Sequence, residues 1–157
     1  ATRLADVITG AGDVTTFNDS EGVLYAEMAA LDEDFTNRYI TISDGTINNR
    51  VVLRFNLSNS VSGFVRSGGI TQAVFIHSIN ILDTNKVAIK YKENDFALWV
   101  NGVKLSTDTS GNSPIGLSEL HFADGSGTGN EFKGKVKSVI TFNTALTDAE
   151  LECLTTI

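Results

Sequence analysis

Apolar and polar residues alternate with a period of two, in short runs, along almost the whole chain. In GVLYAEMAAL, Leu24, Ala26, Met28 and Ala30 take one face while Tyr25 and Glu27 take the other. RYITISDG groups Ile40 with Ile42 and closes on the turn pair Asp44-Gly45. NRVVLRFN sets Val51, Leu53 and Phe55 against Val52 and Arg54. TQAVFIHS, NKVAIKYK, FALWVNG, LSELHF and GKVKSVITFN extend the series. Side chains on a strand point alternately to its two faces. Runs of this kind, separated by Gly, Asn, Asp and Ser clusters, therefore predict an antiparallel all-β sandwich or barrel. Asn101-Gly102 marks the clearest hairpin, because a two-residue type I′ loop needs positive φ at both central positions.

One segment breaks the alternation. In ALTDAELECL, Thr147 followed three residues on by Glu150 reads as a capping box, and Leu146 and Leu151 fall where a hydrophobic staple would sit. A short helix over 148–155 is expected to close the sandwich. GSGTGNEF (125–132) reads as a glycine-rich loop between strands. It is not a phosphate cradle, since no lysine follows and a strand rather than a helix comes next. No internal repeat or linker divides the chain, so residues 1–157 are read as one domain.

The net charge of −7, from nineteen acidic and twelve basic residues, argues against a nucleic-acid partner. Such binding normally needs a basic stripe, and Lys133, Lys135 and Lys137 stand alone on one strand. No run approaches the ~20 apolar residues of a membrane span, so membrane insertion is not expected. Nor does the N-terminus show the charged and apolar regions of a signal peptide. Cys153 is the only cysteine. It can form no internal disulfide or thiolate cluster, and it is read as a small apolar filler.

Catalytic constellations are scarce. His77 and His121 each lie in a strand run without metal-ligand spacing, and no G-x-S-x-G elbow is present. Asp32, Glu33 and Asp34 are dense enough to suggest calcium but lack the spacing of an EF-hand, so a solvated acidic loop is the better reading. No cofactor and no metal site are expected.

Two segments carry a family likeness. KVAIKYKENDFALWVNGVKLSTDT resembles the hvAlvYdgt.lklYvNGv segment of laminin-G-type jelly-roll domains in the concanavalin A-like lectin and glucanase superfamily. FKGKVKSVITFNTALTDAELECL resembles their closing segment, F.G.IDEVRIYNRALSDEEI. With the weaker match at YITISDGTINNRVVL, the resemblance covers most of the chain. It is similar in particular to versions in bacteriophage tail and virion-associated proteins, where A.KYK.NDFALYVNG and ALTD.EL..LT recur. The resemblance implies a two-sheet jelly roll that binds a polysaccharide or cell-surface glycan, outside the cell or on a virion. It also implies a place beside other domains of a longer virion or enzyme chain. At the position of the Asp that helps hold calcium in many such domains stands Lys137, so the resemblance implies no calcium there. Sandwich glucanases need paired carboxylates. Glu93 and Asp95 could supply two, but the third falls at Ala97 or Leu98, so Asn94-Asp95 is read as a turn and the protein as not an enzyme.

A glycan site on such a sandwich would use an open sheet face with aromatic and planar polar side chains. Trp99 shares its face with Ala97, opposite Phe96, Leu98 and Val100, and is expected to leave the main core. Its indole would either contact a ligand or cover the sandwich edge beneath a loop. Tyr25, Glu27, Arg54, His77 and Lys90 are assigned outward positions and complete the candidate ligand-binding set, while Tyr91 is assigned to the core. The leading reading is a non-catalytic carbohydrate-binding module. The alternatives are a structural decoration domain of a virion or tail making protein contacts and, last, a polysaccharide-degrading enzyme.

Overall fold

The computed structural model describes residues 8–157. Along them run β1 (Glu21–Ala30), β2 (Arg38–Ser43), β3 (Arg50–Phe55), β4 (Val61–Ser67), β5 (Ile70–His77), β6 (Asn85–Lys92), β7 (Phe96–Val100), β8 (Val103–Asp108), β9 (Glu119–His121), β10 (Gly134–Phe142) and α1 (Asp148–Thr155). Two five-stranded antiparallel sheets result, ordered β10-β1-β6-β7-β8 and β5-β4-β3-β2-β9. They stack as a jelly-roll sandwich, and their inward positions meet in one core. Leu24 and Met28 of β1 and Ile89 and Leu98 of the same sheet face Ile40, Leu53 and Phe55 of the other. Tyr91 joins that core and donates its hydroxyl to Asn18 O at 2.7 Å.

The hairpin between β7 and β8 turns on Asn101 and Gly102, with φ of 51° and 81°. Only residues that tolerate positive φ fit there, which is why the dipeptide is so legible. Strand β4 has no counterpart among the runs recognised from sequence. Its inward positions are Val61, Gly63 and Val65, so the apolar signal is interrupted at its centre. The glycine is there for space: an added Cβ would lie 3.0 Å from Ile89 Cδ1 and 3.0 Å from Leu98 Cδ1 across the sandwich.

Helix α1 lies over the outer face of the first sheet. Leu151 is fully buried there in a second apolar cluster with Val23, Tyr25, Ala88, Ala97 and Trp99. Leu151 and Thr155, four residues apart, point to the sheet together. Cys153, two residues on from Leu151, is rotated about 200° around the helix axis and is exposed. The expectation of an apolar filler is therefore overturned by helical phase. At the N-terminus, Glu150 N donates to Thr147 Oγ1 at 3.3 Å, and Thr147 N donates to the Glu150 carboxylate at 2.8 Å. Thr147→Ala is expected to cost about 1 kcal/mol in a urea titration, through loss of this cap. Thr147 N and the Thr147 hydroxyl, which both donate to the Glu150 carboxylate at 2.8 Å, hold Glu150 below its ordinary pKa. A carboxyl whose folded value is depressed contributes stability above its unfolded value and loses it as pH falls through the folded one. The cap should thus weaken in acid, below the usual glutamate range.

The acidic loop after β1 is partly neutralised from within. Arg38, 1% exposed, donates Nη2 to Asp32 Oδ1 at 2.9 Å and to Asp34 Oδ1 at 2.5 Å. Lys137 approaches Glu27, with Nζ 3.2 Å from Oε1.

Candidate functional site

The six residues singled out from sequence divide among three places. Trp99, Tyr25 and Lys90 are on the outer face of the first sheet but are buried, at 5%, 3% and 8% exposure. Trp99 and Tyr25 lie in the cluster beneath α1, and Lys104 Nζ stands 5.7 Å from the indole centroid. Lys90 is ion-paired to Asp95 at 2.6 Å. Glu27, on the same sheet, is occupied by Lys137. His77 shares the parity of the buried Ala73 and Phe75 and so turns toward the sandwich edge, where Nε2 lies 2.7 Å from Ser106 Oγ on β8. Arg54 alone of the six stands on the outer face of the second sheet, which no helix among the described residues covers.

That open face is built by β2, β3 and β4. Register pairs Tyr39 with Arg54, Arg54 with Ser62, Val52 with Phe64, and Arg50 with Arg66. Tyr39, Val52 and Phe64 form a small buried apolar cluster of their own. The two rings meet edge to face, with centroids 6.1 Å apart. Guanidinium groups lie across this floor. Arg54 Cζ is 5.0 Å from the Phe64 centroid and 5.3 Å from that of Tyr39, and Arg50 Cζ is 5.0 Å from Phe64 on its own approach. Cations over aromatic faces are attracted by the ring quadrupole, so the floor orients the arginines. Arg54 is fixed further by Nη1 donating to Tyr39 Oη at 2.6 Å and Nε to Ser62 Oγ at 3.2 Å. Arg66, beyond a register shift after Val65, donates Nη2 to Gly69 O at 2.6 Å.

The result is an open depression of about 470 Å³ lined by Tyr39, Arg50, Arg54, Phe64, Arg66, Thr71 and Val74, with no carboxylate among them. Arg50 pairs with Asp124, whose carboxylate is held in place by Gly125 N and by Asn130 Nδ2. Among the described residues, no carboxylate pairs with Arg54 or Arg66. Like charges directly opposite on adjacent strands are destabilising, and Arg50 and Arg66 are such a pair. Burial, and then the Arg66 and Arg54 guanidiniums, push Arg50 below its ordinary pKa, with Tyr39 pulling the other way. Arginine nonetheless stays charged in proteins. The Nε–H groups of Arg50 and Arg66 are buried without a partner among the described residues and are closed to a ligand; the excess charge of the face lies in three guanidiniums with one carboxylate partner among them. Its chemistry suits an anion with planar or tetrahedral oxygens.

A rival depression of about 530 Å³ is lined by Phe17, Asn18, Asp19, Gly116 and neighbours. The Asp19 carboxylate accepts from Gly116 N at 2.7 Å and Leu117 N at 2.8 Å, one on each oxygen, so its orientation is set by the loop.

Tyr39, Arg50, Phe64 and Arg66 were not singled out from sequence. Arg50 and Arg54, four apart around Val52, do share a strand face, which was the available signal. Arg66 and Phe64 lie on the strand that Gly63 conceals.

No protein-family model matches the chain, and no curated protein sequence matches it. Solved structures do. The CBM40 of the Ruminococcus gnavus IT-sialidase bound to alpha2,3 sialyllactose superposes with a TM-score of 0.75 at 17% identity, covering 99% of this chain and 97% of that one. Domain 4 of an extracellular arabinanase from Geobacillus stearothermophilus, in complex with arabinotriose, gives 0.67 at 13% identity over 96% of this chain and 76% of that one. A Caenorhabditis elegans galectin gives 0.57 at 14% identity over 88% and 91%. At these identities the likeness is one of fold: the chain has the two-sheet jelly-roll sandwich that these carbohydrate-binding domains and the galectin also have.

Proposed function

We propose that this protein is a non-catalytic carbohydrate-binding module whose open sheet recognises a glycan bearing a negative charge, of the sialic acid class. The observation that carries the reading is the group of Arg50, Arg54 and Arg66 on one aromatic-floored face, with a single carboxylate partner among the described residues, in a chain of net charge −7. An arginine fork matches a sugar carboxylate in two parallel hydrogen bonds. The jelly roll shared with a CBM40 that holds sialyllactose supports the same ligand class. Among the described residues no carboxylate lines the depression to serve as general acid, which favours binding over hydrolysis. The sequence likeness to phage tail and virion domains favours a setting on such a particle, with the glycan as its target.

Titration calorimetry with α2,3-sialyllactose and with lactose tests this. Sialyllactose should bind and lactose should not, and binding should weaken as salt is raised, because the contact is ionic. Arg54→Gln should lower affinity by about tenfold or more, since a hydrogen bond to a charged group is worth roughly 1.5–3 kcal/mol. Equal binding of lactose, or an unchanged Arg54→Gln protein, would count against the reading.

A further inference from the structure

Arg54 lines two depressions. Beyond it, away from Arg50 and Arg66, lies a second of about 170 Å³ walled by Asn37, Asn56, Leu57 and Ser58. Arg38 pairs with Phe55 at the end of the β2–β3 ladder. One further step of that register sets Asn37 opposite Asn56 on the face that holds Tyr39 and Arg54. The two depressions thus follow one another along the same surface, with the Arg54 guanidinium between them.

The second depression is polar, neutral apart from Arg54, and already folded. Asn56 N donates to Ser60 O at 3.0 Å, and Asn59 N donates to Asn56 O at 3.0 Å. Asn56 Oδ1 accepts from Ser58 N at 2.9 Å and Ser60 N at 3.2 Å. Its carbonyl is thereby used, and its NH₂ group remains as a donor. The Asn37 amide has no hydrogen-bond partner among the described residues. Leu57, 61% exposed, stands at the rim. Two amides and the Ser58 hydroxyl match neighbouring hydroxyls on a pyranose ring, and an exposed leucine can lie against its C–H face. A loop ordered before binding also avoids much of the entropy cost of fixing it afterwards.

We infer that this depression is a second subsite, which takes the neutral hexose joined to the acidic sugar held by the arginines. The inference rests on the anionic-glycan reading above, and the experiment separates the two. Affinities of an α-methyl sialoside and of α2,3-sialyllactose are compared on the parent protein and on a variant combining Asn37→Ala with Leu57→Ala. Sialyllactose should bind the parent about tenfold more tightly than the sialoside, as one or two added hydrogen bonds allow. The double variant should lose that gain and keep the parent's affinity for the sialoside, with an unchanged melting temperature showing that the fold is intact. Equal affinity of the parent for both sugars overturns the subsite and leaves the arginine site standing. A variant that weakens both sugars equally also overturns it, because the residues would then serve the acidic sugar. Failure of both sugars to bind the parent overturns the subsite and the anionic-glycan reading together.

Discussion

Trp99→Ala is expected to lower unfolding stability by about 3–5 kcal/mol, the cost of emptying a buried aromatic site. The indole is 5% exposed and packs with Tyr25, Ala97 and the fully buried Leu151, with Leu146 and Leu154 against the same cluster. It is therefore the platform on which α1 sits. An eight-residue helix has too few turns to persist without such a platform. Loss of the indole should therefore remove helical signal as well as stability. Trp99 is the only tryptophan in the chain, so its fluorescence in the parent protein reports docking of α1 directly. Thr147→Ala should shift that emission before global unfolding begins. A urea titration placing Trp99→Ala within about 1 kcal/mol of the parent would contradict the burial described here. Sialyllactose affinity should survive in Trp99→Phe, because the indole and the arginines lie on opposite outer faces of the sandwich.

The second large effect is expected from the smallest addition. Gly22→Ala should destabilise by about 1–3 kcal/mol, toward the upper end, through overpacking. Gly22 sits in β1, between β10 and β6, where an added Cβ would lie 2.6 Å from Phe142 O and 2.6 Å from Tyr91 Oη. The carbonyl belongs to a flanking strand of the same sheet and cannot withdraw without disturbing it. Tyr91 could move only by giving up its buried hydrogen bond to Asn18 O. The Gly22 backbone is not in the left-handed region, so the substitution tests close approach alone. Denaturation of Gly22→Ala at the parent's midpoint and slope would show that the strands have more room than this.

Sequence reading reached the sandwich because alternation, the Asn101-Gly102 turn and the Thr147 capping box are local signals. Each depends on residues a few positions apart. It placed Leu98 and Phe96 inward, and the same parity sent Trp99 outward. Alternation cannot say what then covers an outward residue. Trp99 is covered by α1, which begins almost fifty residues later and returns across β6 and β7, a tertiary event with no signature near Trp99. The arginine face was legible only in part, for a related reason. Arg50 and Arg54 announce a shared side of β3, but Arg66 reaches them through pairing with β4. That strand's central inward residue is Gly63, chosen for the room that Ile89 and Leu98 leave. His77 illustrates the opposite failure. Its run was recognised, but parity turns it in toward Ser106 at a sheet edge, where half-buried polar residues weaken the contrast between faces.

The gathering of Arg50, Arg54 and Arg66 on one face has a consequence beyond the sheet that bears them. A particle carrying seven excess negative charges overall, with a positive spot on one flank, is an electric dipole as well as a charge. Facing a coat of acidic sugars, most of its surface is pushed away while the open sheet is pulled forward. The field therefore applies a torque as well as a net force. At physiological salt that field reaches only about 8 Å, so the turning happens in the last layer of water before contact. On the anionic-glycan reading proposed above, a molecule that arrives wrong side first would be rotated or sent back, and one that arrives with its arginines leading would already be in the pose for binding.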